Sequence, residues 1–321
     1  MKKWSKLLLV GALTLSLAAC GSNDASNTTA GEKNTVQTSA VGAISITDYA
    51  GNVHNFEEVP KSIAALSPGD MDILINLGAN VTGRPTISYD APEEVMTIQE
   101  IGNPHDPSIE QIVALRSEVL IAPANFKQFA GTIESTGTKV IYSEANSIDE
   151  IKQAIEMYGT LFEKTEAAQG YIDDIEAKVE EATQNSTGVK ALLVYGAPGT
   201  YLTALDSSLS GDILNKAGGY NVANNFPESQ KYPNYANLSV EKIVESEPDV
   251  VMILTHSDPE AVIAGFKKQM EASSGWKNLK AVKEDRIYIL PADLFGNNPG
   301  TRITEALDYM VETLNEINTA K

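Results

Sequence analysis

Pro107-Ser108-Ile109-Glu110-Gln111-Ile112-Val113 leads into the apolar run Glu118-Val119-Leu120-Ile121-Ala122, and the chain contains a second copy of this pattern. The copy is Leu238-Ser239-Val240-Glu241-Lys242-Ile243-Val244, followed by Asp249-Val250-Val251-Met252-Ile253-Leu254. Each reads as a helix start, a short helix and a buried strand. Ser108 and Gln111 have capping-box spacing. Two of the three histidines flank the units: His105 just before the first, His256 just after the second. The repeat predicts two similar lobes, each presenting one imidazole to a shared cleft.

Outward from the first copy, the rhythm alternates strand and helix. Ser62 to Leu66 reads as a strand, Asp70 to Leu77 as a helix closed by Gly78, and Val81-Thr82-Gly83 as another strand. Before them, Ile44 to Tyr49 and Val53 to Phe56 alternate around Ala50-Gly51-Asn52, which predicts a hairpin with His54 on an exposed face. Ile148 to Ala182 is helical in pattern, with Gly159 and Gly170 as weak points. The second lobe opens on the strand Lys190 to Tyr195 and the loop Gly196-Ala197-Pro198-Gly199. It continues through helices at Leu209 to Ala217, Pro259 to Met270 and Thr301 to Ile317, with a strand at Arg286 to Leu290. The predicted fold is α/β: two Rossmann-like lobes with mainly parallel sheets, joined by a long interlobe helix. The boundaries expected are 43–162 for the first lobe, 163–186 for the interlobe helix and 187–321 for the second lobe.

The N-terminus reads as an export signal. Lys2, Lys3 and Lys6 are followed by an apolar stretch, Leu7 to Leu17, too short to span a bilayer, which takes about 20 residues. Leu17-Ala18-Ala19-Cys20 resembles the lipobox of bacterial lipoproteins. That resemblance implies a signal peptide over 1–19 and lipidation of Cys20, including palmitate, at the head of a flexible tether over 20–42. Cys20 is the only cysteine, so intramolecular disulfides and Cys-based zinc sites are excluded. Loss of the three signal lysines takes the formal charge from −19 to −22. So acidic a chain argues against nucleic acid as a partner, and suits a domain held to a membrane by lipid rather than by charge.

Ligands of open α/β sheets bind beyond the carboxyl ends of the strands. His256 lies two residues past the second-lobe strand. His105 lies in the rigid loop Gly102-Asn103-Pro104-His105-Asp106-Pro107. Imidazole ligates metals, including haem iron as an axial ligand. Met71 and Met96 are further candidate ligands in the first lobe, although Met71 fits an apolar helix face. There is no G-x-S-x-G elbow, H-E-x-x-H or Walker loop. Glu110 and Glu241 occupy matching first-turn positions, where a carboxylate favours the helix dipole by about 0.3–1 kcal/mol. They also form a pair of charges, one per lobe, suited to a symmetric basic partner.

With these features in place, the chain resembles the substrate-binding lipoproteins of ABC importers, in the class that handles iron–siderophores, cobalamin and haem. Within that class it is similar to the haem-binding lipoproteins of the staphylococcal iron-regulated surface determinant system. The stretches that carry the likeness are Gly196 to Leu202 through Gly211-Asp212 to Val222, then Leu254 to Glu260, and Trp276 to Gly296. The resemblance implies that His256 is an axial ligand to haem iron. It also implies that His105 stands where the family has an axial methionine, which makes a bis-histidine haem. It implies a pocket near Ser67, Pro68, Gly69, Ser88, Tyr89 and Tyr201, where the N-terminus of the helix after Ser67-Pro68-Gly69 is a candidate anion site on its own account. Finally, it implies a monomer whose Glu110 and Glu241 meet arginines on an ABC permease dimer. Two alternatives stand beside this reading: a ferric-siderophore receptor, which four dispersed arginines disfavour, and an extracellular enzyme on the same scaffold.

Overall fold

The structure is a computed structural model that describes residues 43–87, 89–103, 105–197, 199–271 and 273–320. The expected signal and tether, with Cys20, lie outside the described residues, as does Ser88.

The first lobe contains β1 (Ile44–Thr47), β2 (Val53–Phe56), β3 (Ile63–Ala65), α1 (Pro68–Asn76), β4 (Val81–Arg84), α2 (Glu93–Met96) and β5 (Gln99–Glu100). It continues with β6 (Gly102–Asn103), β7 (Asp106–Pro107), α3 (Ile109–Leu115), β8 (Val119–Ala122), α4 (Lys127–Glu134) and β9 (Lys139–Tyr142). Next come α5 (Ile148–Leu161) and α6 (Thr165–Thr183). The second lobe contains β10 (Lys190–Ala197), β11 (Thr200–Ala204), α7 (Leu209–Lys216), β12 (Tyr220–Asn221), β13 (Tyr235–Asn237), α8 (Val240–Ser246) and β14 (Val250–Leu254). It ends with α9 (Pro259–Met270), α10 (Lys280–Lys283), β15 (Ile287–Ile289), α11 (Ala292–Phe295) and α12 (Ile303–Thr319).

The first-lobe sheet has the order β5-β4-β3-β8-β9 and is parallel throughout. The second has the order β13-β11-β10-β14-β15, with β12 beside β10. Its central strands are parallel, while β11 and β13 are antiparallel. The repeat is real in three dimensions. β8 lies beside β3 as β14 lies beside β10. α3 and α8 both end in a left-handed residue that is not glycine: Arg116 at φ 52° and Glu247 at φ 49°. All residues of β8 and β14 are buried.

The copies differ at their caps. Ser239 accepts from the Lys242 N–H at 3.4 Å, but the Ser108 side chain caps nothing, so the capping box read from Ser108 and Gln111 does not form. The cause is local. The Ser108 N–H is held by the Ile101 carbonyl at 2.8 Å, because the chain enters α3 from the β6–β7 hairpin rather than from an extended cap.

The helical stretch from Ile148 is two helices. Glu163, at φ 53°, turns the chain between them. Gly159 allows the close approach that follows: a Cβ there would lie 2.4 Å from the Ala168 Cβ. α6 packs on α5, α7 and α12, at the junction of the lobes. A single apolar core runs from the β1–β2 hairpin and α1 through α5 and α6 to α7 and α12. Two smaller clusters cover the outer faces of the sheets. The lobes also touch directly: the Asp72 carboxylate accepts from the Thr301 N–H at 2.7 Å and its hydroxyl at 2.6 Å.

Two further expectations are corrected. Gly196 and Ala197, read as loop, extend β10 and pair with Tyr201 and Thr200 in a hairpin; the Gly-Pro punctuation hid this short ladder. His54 is not on a free face. Its Nε2 lies 2.9 Å from the Asp48 carboxylate, which also accepts the Tyr142 N–H at 3.2 Å and so ties the hairpin to β9. Burial alone would raise the Asp48 pKa, but these hydrogen bonds and those from Asn52 hold it below the usual carboxylate value. Among the described residues, no helix is long and apolar enough to cross a membrane.

Candidate functional site

The carboxyl ends of both sheets open onto one cleft, as open α/β sheets require. Its aromatic half is a cavity of about 340 Å³ lined by Pro68, Pro85, Ile87, Tyr89, His105, Tyr195, His256 and Ala292, among others. Its polar half, about 370 Å³, is lined by serines and asparagines from the ends of β3, β8 and β9, the start of α7, the approach to β13 and the segment after α11, together with the carboxylates Asp70 and Glu144. His105 and Asn297 border both halves. A roomier cavity of about 560 Å³ lies between β1 and α5, away from the strand ends, and contains neither of these histidines. Position and chemistry therefore mark the site better than volume.

The two imidazoles arrive differently. His105 is exposed at the tip of the β6–β7 hairpin. The Asn103 side chain fixes that tip by accepting the N–H groups of His105 at 2.9 Å and Asp106 at 3.0 Å. Gly102, at φ 86°, is required there: a Cβ would lie 2.4 Å from the Asp106 carbonyl. His256 follows β14, after the buried Thr255, whose hydroxyl accepts the Ser257 N–H at 3.0 Å. The His256 ring is open to the cleft yet walled closely enough that burial holds its pKa below the usual value. A hydrogen bond to the Gly296 backbone acts in the opposite direction, and the His105 charge adds to the lowering. A neutral imidazole is the form that ligates a metal.

Aromatic walls accompany these rings. Tyr195, two residues before the end of β10, lies 6.1 Å from His256 and 5.9 Å from Tyr235, centroid to centroid. Burial raises the pKa of both tyrosines. It also raises that of Tyr89, against the opposing effect of Arg302. Asp70, on the wall of the polar half, is almost wholly buried. It accepts from the Ser143 hydroxyl at 2.7 Å and the Tyr158 hydroxyl at 2.8 Å. Burial raises its pKa despite these bonds.

Among the described residues, no lysine or arginine lines either half of the cleft. Arg84 pairs with Glu100, Arg286 with Glu284, and Arg302 with Asp293 and Glu305.

The other expected site residues divide. Ser67 lines the polar half, and Pro68 and Tyr89 the aromatic half. Ser67 caps α1 by accepting the Asp70 N–H at 3.4 Å. Gly69 lines neither; its α-carbon is packed so closely against Asn298 that a Cβ would lie 2.3 Å from the Asn298 carbonyl. Tyr201 is misplaced by the sequence reading. It is 7% exposed, donates to the Val262 carbonyl at 2.9 Å and packs edge-on against Phe266, on the outer side of the second sheet. Met71 is core at 4% exposure, and Met96, at 46%, lines neither half. Glu110 and Glu241 are exposed on α3 and α8. Sequence reasoning passed over Tyr195, Tyr235, Asn297 and Asn125. Tyr195 was accessible to it as the last residue of a predicted strand, by the same edge rule that selected His256. The others needed the lobes brought together.

Residues 63–294 match the periplasmic binding protein family. The chain belongs to that family. It is 27% identical over 262 residues to the high-affinity heme uptake system protein IsdE of Staphylococcus aureus, covering 80% of this chain and 86% of that protein. Among solved structures, an ABC transporter substrate-binding protein from Listeria monocytogenes EGD-e is similar with a TM-score of 0.68 and 25% identity, over 81% of this chain and 100% of that one. S. aureus IsdE complexed with heme gives a TM-score of 0.68 and 24% identity, over 79% and 98%. This periplasmic binding protein thus shares its fold with binding proteins of transporters.

Proposed function

We propose that this periplasmic binding protein is a lipid-anchored extracellular receptor that binds haem and delivers it to an ABC permease for iron uptake. The observation that carries this reading is the meeting of His105 and His256, one from each lobe, on a single cavity walled by Tyr89 and Tyr195. Iron in a tetrapyrrole has four equatorial nitrogens already and needs only axial ligands from the protein. Two imidazoles meet that need, and flat aromatic walls suit a planar macrocycle. A second imidazole in place of methionine favours the ferric state and lowers the potential. Propionates would find serine and asparagine donors in the polar half, with Ser67 and the start of α1 beside them, and would have to lie away from the Glu144 carboxylate that also borders it. The same lack of cations disfavours a ferric siderophore of high negative charge, whose recognition calls for arginines.

Glu110 and Glu241 stand exposed at matching positions of the two lobes and are the proposed contacts to the permease. Cys20 is the proposed lipid anchor, which places the domain at the outer face of the cell membrane.

The test is a haemin titration of the chain from about residue 43 onward, read by visible absorption. The expected result is a saturable one-to-one shift to a low-spin, six-coordinate spectrum without methionine features. A high-spin spectrum would remove one histidine from the coordination sphere. No saturable change would overturn the haem reading in favour of a siderophore.

A further inference from the structure

His256 is open to the cleft, so something other than burial must fix which way its ring faces. Two neighbours do so. Gly296 ends α11, its N–H bonded to the Ala292 carbonyl at 3.0 Å. A Cβ on Gly296 would lie 2.5 Å from the His256 Cε1 and 3.0 Å from Nδ1. That edge of the imidazole therefore rests directly on the Gly296 α-carbon, in space that only glycine leaves free. The Gly296 backbone is also a hydrogen-bond partner of the ring. Tyr195 packs against the imidazole with planes 59° apart, and Tyr195 is itself braced by Tyr235. With the Nδ1 and Cε1 edge against Gly296, Nε2 is the nitrogen left for a ligand.

We infer that Gly296 is a positioning residue for His256: its carbonyl takes the Nδ1 proton, its missing Cβ admits the ring, and Tyr195 braces the imidazole, so that Nε2 is presented in one orientation. This rests on the haem reading and deepens it. A ligating histidine that donates its other N–H to a backbone carbonyl is fixed in tautomer and made a stronger ligand, and loss of such a partner typically costs 10–100-fold in affinity.

The experiment compares haemin complexes of the wild-type chain, Gly296→Ala, Tyr195→Ala and Tyr195→Phe by titration and by low-temperature electron paramagnetic resonance of the ferric state. Gly131→Ala, at a position with open space around it, controls for the glycine change itself. Gly296→Ala is expected to weaken haemin binding by roughly 10–100-fold and to replace the single low-spin signal with high-spin iron or a second low-spin species. The added methyl would also lie 2.5 Å from the Ala292 carbonyl, so circular dichroism must show that the variant folds. The tyrosine pair carries the test independently. Tyr195→Ala should split or broaden the low-spin signal, and Tyr195→Phe, which keeps the ring, should restore it. A folded Gly296→Ala with wild-type affinity and signal would overturn the inference, and so would a Tyr195→Ala signal identical to wild type. A wild-type chain that never forms six-coordinate haem would instead overturn the haem reading itself.

Discussion

The two copies of the helix–strand unit are nearly interchangeable as scaffold, yet they deliver their histidines from opposite ends. α3 and α8 are seven residues each, both stop at a left-handed residue, and both feed a fully buried strand. The register that pairs Glu110 with Glu241 pairs Asn125 with His256, and His105 with Ala236. Asn125, and Tyr235 beside Ala236, both line the polar half of the cleft. The first lobe thus places its imidazole before the helix and an amide after the strand. The second places a tyrosine before the helix and its imidazole after the strand. The frame is repeated, while the corresponding edge positions carry different residues, so the two imidazoles reach the cleft from unlike places in the repeat.

The sharpest way to break this comparison is to remove the histidines one at a time. His256→Ala should abolish tight haemin binding, a loss of at least about 100-fold, or ~3 kcal/mol. His105→Ala should leave weaker, five-coordinate haem. Unchanged spectra and affinity in both variants would show that neither ligates. The exchange His256→Asn with Asn125→His should not recover the wild-type spectrum, because Asn125 lines only the polar half. Recovery would mean that the equivalence of the repeats extends to the site.

Next in size is the outer face. Reversing Glu110 and Glu241 together to lysine should block haem uptake by cells while leaving haemin affinity in solution unchanged. Normal uptake would end the docking role.

A pH-dependent difference should separate the two lobes' first helices. Ser67 and Ser208 cap α1 and α7 alike, accepting the N–H groups of Asp70 and Gly211 at 3.4 and 3.1 Å. Among the described residues, only the first lobe then buries a carboxylate at this helix, Asp70. Burial raises the folded pKa of Asp70 above its ordinary value, 3.8. Its contribution to stability is therefore full below that pH and is lost as pH rises through the raised value. Urea unfolding at acid and neutral pH should show the wild type losing ground to Asp70→Asn as pH rises. A difference independent of pH would contradict this.

The smallest effect concerns the caps. Ser239→Ala should cost about 1 kcal/mol of unfolding free energy, and Ser108→Ala close to nothing, because only Ser239 bonds a helix N–H. Equal costs would mean the two helix starts are more alike than their hydrogen bonds.

The alternation of buried strands and short helices was legible because fully buried parallel strands read as continuous apolar runs, and β8 and β14 do. The hairpin β10–β11 was not, because Gly196, Pro198 and Gly199 carry strong turn signals that outweigh a short antiparallel ladder. His256 was legible as a residue just past a strand end. Tyr201, chosen from likeness, was misplaced because side chains alternate across a strand: from β11 it faces the outer cluster, where its hydroxyl bonds the Val262 carbonyl. The helical stretch from Ile148 was legible as helix but not as two helices. The turn at Glu163 is set by the packing of Gly159 on Ala168, a contact between faces that no local pattern records.

The sequence by itself determined the repeat, the α/β class, the acidic charge and the candidacy of His105 and His256, because periodicity and strand-edge position are local properties of the chain. Only the tertiary structure decided that these imidazoles share one cavity, that no described lysine or arginine lines it, and that Gly296 and Tyr195 flank His256. Each of those facts joins residues from separate strands or separate lobes, and their distances are set by the packing of the core rather than by spacing along the chain.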